Sequence, residues 1–242
     1  MHIVVVDTET TSPEPLEARV VTAFIGLWDT ETEKFEQYME FLVNPGVDIP
    51  AEASAIHGIS TELSKSGMNP VEALEVMFYI LHDWAEYPIA VYNSGFDLTL
   101  LNAELVRYGY TPFDWNKRQI IDPLVLERRY NKYKKGKKRL MDVAEVYGVP
   151  VDESKAHEAE YDCFLAVNVA VKQIELYGIP TNEEQKEWHR EWAEGFESWL
   201  RNAKGDPSIS ISREWPYQDV RATLDTEARN GLEEKEENNG DN

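Results

Sequence analysis

The feature that most constrains this chain is a short apolar run, Ile3–Val6, that passes without a turn residue into Asp7-Thr8-Glu9. A run of that length bounded by polar residues is the pattern of a buried strand. Side chains alternate faces along a strand, so Asp7 and Glu9 leave it on the same side, two residue rises apart. Two carboxylates held together at a strand end either share a hard divalent cation through oxygen or repel one another. By itself the pair is read more simply as solvated acids where a strand meets a loop.

The rest of the chain supplies the setting. Two β-rich segments, residues 19–29 and 34–43, are joined at Asp29-Thr30-Glu31-Thr32 and predict a hairpin. Pro70 opens an amphipathic helix to about Glu86, with Val71, Leu74, Met77, Phe78 and Leu81 on one side. A strand over Pro88–Tyr92, a helix over Asp97–Tyr108 and a short strand over Gln119–Asp122 come next, followed by helices at about 123–131, 139–147 and 160–177. Strands that begin antiparallel and later alternate with helices predict an α/β domain, a mixed β-sheet flanked by helices, ending near residue 178. Residues 179–204 form a C-terminal helical extension, in which Trp188, Trp192, Phe196 and Trp199 fall on one stripe that is expected to pack on the domain. Residues 205–242 are expected to be an extended or disordered acidic tail. From Asp225 onward seven acids face two bases, with almost nothing apolar to bury.

Composition narrows the partners. The net charge of −21 argues against a protein whose whole surface wraps nucleic acid. One segment runs the other way, since eight of the twelve residues from Arg128 to Arg139 are Arg or Lys. Such a stretch is ordinarily a solvated loop. No apolar run approaches the roughly 18 residues of a membrane span and the start lacks a signal-peptide pattern, so no membrane partner and a cytoplasmic location, in a bacterial or phage-infected cell, are expected. The single cysteine, Cys163, excludes an internal disulfide and lies in a helical pattern, where a buried thiol is the simplest role.

Two further elements carry chemistry. Asn93-Ser94-Gly95-Phe96-Asp97 joins a strand to a helix, where Asp97 could serve only as a cap or first-turn acid and Phe96 only as core. His157-Glu158-Ala159-Glu160-Tyr161-Asp162 opens the last helix of the domain. Positions 157 and 162 would lie about 140° apart on one helix, so His157 belongs in the preceding loop if the two are to share a site. Taken in order and spacing, DTET, NSGFD and HEAEYD resemble the three motifs of the DEDDh group of 3′→5′ exonucleases, similar to the proofreading epsilon subunit of DNA polymerase III. The resemblance covers residues 1–178. Ala55-Ile56-His57-Gly58-Ile59 looks like the group's substrate-contacting segment, and the extension with Glu214-Trp215-Pro216 is similar to that of actinobacterial and phage members.

The resemblance implies an RNase H-like fold and an enzyme that removes nucleotides from a nucleic-acid 3′ end, with single-stranded DNA the expected substrate and a polymerase a candidate partner. It implies Asp7, Glu9, Asp97 and Asp162 as ligands of two Mg²⁺ or Mn²⁺ ions, and His157 as general base. Thr8, Thr10, His57, Asn93 and Phe96 are implied as contacts to the terminal nucleotide. With those motifs present, the Arg128–Arg139 segment becomes a candidate for holding the strand upstream. An RNA-trimming exonuclease carries the same motifs, and a non-catalytic subunit could be built on the same fold.

Overall fold

The computed structural model describes residues 1–221; the acidic stretch from Asp225 onward lies outside the described residues. Five strands form one mixed sheet: β1 (His2–Thr10), β2 (Val20–Asp29), β3 (Lys34–Leu42), β4 (Ile89–Ala90) and β5 (Ile120–Ile121), in the order β3-β2-β1-β4-β5. The first three pair antiparallel, and β4 and β5 then extend β1 in parallel. Eight α-helices accompany them among the described residues: α1 (Ala51–His57), α2 (Thr61–Ser64), α3 (Pro70–Asp83), α4 (Ser94–Arg107), α5 (Pro123–Tyr130), α6 (Leu140–Val146), α7 (Ala159–Tyr177) and α8 (Asn182–Lys204). The expected mixed sheet flanked by helices is therefore what the chain forms.

Alternation along β1 sorts the core into two layers. Val4 and Val6 face Leu74, Met77 and Leu81 of α3 and Leu98 and Leu101 of α4. Ile3 and Val5 face the opposite layer, built from Ala159, Cys163, Ala166, Val167 and Ala170 of α7. Small residues on α7 let that helix lie close against β1, and Cys163 is a fully buried free thiol within the layer. A second seam, with Val143 and Ala144 against Leu165 and Val169, seats α6 on α7.

The differences from expectation have local causes. The helix expected to begin at Asp97 starts at Ser94, because Asn93 turns the chain in the left-handed region (φ 64°) and a carboxylate elsewhere satisfies the first amides. The helix expected to reach Glu86 stops at Asp83, where Trp84 leaves helical geometry and tucks into the core. The parallel strands expected over five and four residues shorten to two each, because only Ile89-Ala90 and Ile120-Ile121 lie in register with a neighbouring strand to form the parallel ladder. Short α1 and α2 were not expected, as neither is long enough to show a period. The aromatic stripe of α8 packs only in part: Trp188 meets Tyr130 edge-on and Trp192 lies under the Arg128 guanidinium, but Trp199 stays 61% exposed. Residues 205–221 hold no strand and pack back on the domain through Trp215 and Val220, both buried.

Candidate active site

Asp7 and Glu9 leave β1 on the face covered by α7, whose first turn carries Asp162. Thr8, between them, points to the other face, and its hydroxyl donates to Asp97 Oδ1 at 2.6 Å. Asp97 sits in the first turn of α4 and is 5% exposed. Strand alternation thus delivers two acids to one side and, through Thr8, holds a third from the other. His157 lies in the loop before α7 with φ 65°, a left-handed turn that brings its Nδ1 to 4.0 Å from both Glu9 Oε1 and Asp162 Oδ2. Ligand atoms of Glu9, His157 and Asp162 lie within 4.8 Å of one another.

The electrostatics follow from burying acids together. Burial, reinforced by Asp97, Asp162 and Glu9, holds Asp7 well above the ordinary carboxylate range. Burial and then the charges of Asp162 and Asp97 push Glu9 up to about 8. Asp97 is raised to about 7, mainly by burial, with the Thr8 hydroxyl pulling the other way. Asp162 is raised by burial and drawn back by His157. Among the described residues no Lys or Arg pairs with any of the four; histidine is the sole ion-pair partner. A hard divalent cation fits this donor set, which is all oxygen and carries negative charge offset among the described residues by His157 alone.

The other expected residues divide. His57 accepts the Ile59 N–H at Nδ1, 3.1 Å, which leaves the ring proton on Nε2. That Nε2 is buried without a partner among the described residues, and burial lowers the pKa of the ring. The ring is thus held beside the Thr10 backbone and His157. Thr8 commits its hydroxyl to Asp97, so in the free protein it positions a carboxylate; Thr10 donates to Ser12 O. Phe96 is half-buried against the core, and Asn93 is exposed at the turn into α4.

One residue of consequence was missed from sequence. Asp122, 2% exposed, accepts the N–H groups of Asn93 and Ser94 at 3.0 and 2.9 Å and the Ser94 hydroxyl at 2.9 Å. It also caps α5 through Leu124 and Val125, and meets the Trp215 indole N–H at 3.4 Å. Its own N–H donates to Gln185 of α8. A single buried acid therefore fixes the start of the helix bearing Asp97 and ties it to the C-terminal extension. Asp122-Pro123 was the available signal, an N-cap acid before a proline at the first helical position.

A family model described as Exonuclease (RNase_T) matches residues 4–170. The chain belongs to this exonuclease family. Among curated relatives, it is 26% identical to a PolC-type DNA polymerase III of Ureaplasma parvum, covering 69% of this chain and 11% of that one. It is 28% identical to a DNA polymerase III epsilon subunit of Rickettsia prowazekii (52% of this chain, 54% of that one). An uncharacterized exonuclease of Escherichia phage 186 is 30% identical (53% and 68%). The family member thus spans about half the epsilon subunit and a small part of the polymerase. Two solved structures share the fold: the nuclease domain of 3′hExo, a DEDDh family member bound to rAMP (TM-score 0.63, 16% identity, 75% of this chain, 96% of that one), and E. coli Exonuclease I with a dA16 oligonucleotide (TM-score 0.60, 19%, 72% and 41%). No described helix is long and apolar enough to cross a membrane.

Proposed function

We propose that this exonuclease family member is a metal-dependent 3′→5′ exonuclease that hydrolyses the terminal phosphodiester of single-stranded DNA and releases nucleoside monophosphates. The observation that carries this reading is the meeting of Asp7, Glu9, Asp97 and Asp162, from three separate elements, with His157 4.0 Å from two of them. Two Mg²⁺ or Mn²⁺ ions held by the four carboxylates would supply the positive charge that activates water and stabilises the leaving 3′ oxygen. The chain's own residues do the rest. Thr8 and Asp122 hold Asp97 in place from opposite ends of the turn into α4. At 4.0 Å from its carboxylate neighbours the His157 ring is not locked by a direct hydrogen bond, and, half-exposed, it is free to take the proton from an attacking water. His57 and Thr10, neighbours beside His157, are the candidate contacts to the terminal nucleotide.

Residues 1–178 are the catalytic domain in this reading, with 179–204 and the tail as its extension. The names of the relatives make a DNA polymerase the partner to test and DNA the substrate to try first. The deciding experiment offers 5′-labelled single strands of matched DNA and RNA, and a circular strand, with Mn²⁺ and with chelator. Stepwise loss from the 3′ end of the DNA, dependent on cation, is the expected result. Undiminished hydrolysis in chelator would remove the mechanism, cutting of the circle would make the enzyme an endonuclease, and faster loss from RNA would reassign the substrate.

A further inference from the structure

The eight Arg and Lys residues between Arg128 and Arg139 fall into two sets. Four are engaged in holding the fold. Arg128 lies over the Trp192 ring at 3.3 Å, Arg129 pairs with Glu191 of α8, and Arg139 pairs with Asp142 at the start of α6. Lys138 Nζ lies 2.8 Å from Glu127, a carboxylate 2% exposed whose charge it neutralises. The other four, Lys132, Lys134, Lys135 and Lys137, are exposed and have no ion-pair partner among the described residues. Tyr133, in their midst, is 90% exposed, more than any other large hydrophobic side chain described.

The four stand together in one loop of a chain of net charge −21, a concentration of exposed cations against the overall balance. The loop is not a loose appendage. Its far end is pinned where the Tyr92 hydroxyl donates to Lys138 O at 2.6 Å, and Tyr92 immediately precedes the Asn93-Ser94 turn that starts the helix bearing Asp97. Its near end continues α5, whose N-cap is Asp122. Lys134, Lys135, Lys137 and Lys138 line an open concavity of about 390 Å³ shared with Glu127 and with Asp142 and Glu145 of α6, the helix that precedes the loop carrying His157.

We propose that the loop from Lys132 to Lys137 is the grip for single-stranded nucleic acid feeding the carboxylate site, with the four lysines on successive phosphates and Tyr133 stacked on a base. The proposal rests on the exonuclease reading for its direction. Unpaired ammonium groups with an exposed ring among them are what a single strand requires, since phosphates take the charge and any base takes the ring. Lys138 is excluded from the grip because its partner Glu127 would be left charged and buried without it.

The test uses the full chain and K132Q/K134Q/K135Q/K137Q. Hydrolysis of a dinucleotide, too short to reach the loop, is compared with that of a strand of roughly 20 nucleotides, longer than one binding groove occupies. The variant should keep the wild-type kcat and KM on the dinucleotide and show a KM at least about tenfold higher on the long strand. The log–log salt dependence of long-strand binding should flatten by about 0.7 for each lysine that meets a phosphate. Tyr133→Ala should weaken the long strand alone, by about fivefold or more. Polarisation of a labelled strand in chelator reads the grip without hydrolysis, so loop-dependent binding with no turnover of either substrate would keep this inference and remove the exonuclease reading. An unchanged long-strand KM and salt slope would overturn it, as would equal losses on the dinucleotide.

Discussion

Asp7, Glu9 and Asp97 lie wholly or partly buried beside one another with no Lys or Arg to pair with among the described residues, whereas Lys132, Lys134, Lys135 and Lys137 stand in solvent with no ion-pair partner there. Both sets are uncompensated, but only the first strains the fold. Burial removes the water that would otherwise screen like charges, so the acids respond by holding protons. Exposed lysines keep their water, and their isolation has little energetic consequence. A cation is therefore expected to act on stability and chemistry together at the carboxylates, while a nucleic-acid strand at the lysines acts on binding alone.

The largest break in that comparison is Asp7→Asn. The change should abolish hydrolysis, by more than roughly 10³-fold, and raise the melting temperature of the metal-free protein at alkaline pH, where the wild-type carboxyl would have to ionise among like charges, with little gain at neutral pH, where it holds its proton. A variant both inactive and less stable would show that Asp7 is held by contacts other than those of the cluster. His157→Ala should come next, lowering kcat by roughly 10²–10⁴-fold while calorimetry finds divalent binding nearly unchanged, as expected of a proton acceptor rather than a ligand. Matching losses of cation affinity and activity would make it a ligand.

Asp122→Ala should have a smaller effect on rate, about tenfold, by letting the start of α4 and hence Asp97 drift. It should also destabilise the fold by roughly 2–4 kcal/mol, since several buried N–H groups lose their acceptor. Asp122→Asn, which keeps one acceptor oxygen, should recover part of both; a full loss in each variant would point to charge rather than hydrogen bonding.

The smallest effect is one of pH. Folded-state values of about 8 for Glu9 and about 7 for Asp97 lie above the unfolded values near 4, so the folded state binds more protons between them. Their contribution to stability is complete below about pH 4 and is lost as the pH rises through about 7–8. In chelator, the melting temperature of wild type relative to Glu9→Gln should fall across that window, and Mn²⁺ should remove the difference. A constant difference from pH 5 to 9 would mean that Glu9 titrates as an ordinary exposed acid.

Much of the site was legible from residues near each other in sequence. Strand alternation put Asp7 and Glu9 on one face, and helix geometry required His157 to stand outside α7, as it does. The order of strand and helix patterns was sufficient for the mixed sheet, because apolar periodicity is a local property. The lysine loop was visible only as a count of charges; which four were free depended on Glu127, Asp142, Glu191 and Trp192.

What tertiary structure alone decided is everything that depends on partners distant in the chain. Asp97 meets Thr8 across 89 residues, Asp122 meets Trp215 across 93, and residues 205–221 pack back on the domain through Trp215 and Val220. Sequence by itself determined which residues could be acids, caps or strand-formers, since those follow from side-chain chemistry and the two backbone periods. Which acids became buried neighbours was settled by packing, because desolvation and Coulomb repulsion depend on distance in space and on the water excluded between groups.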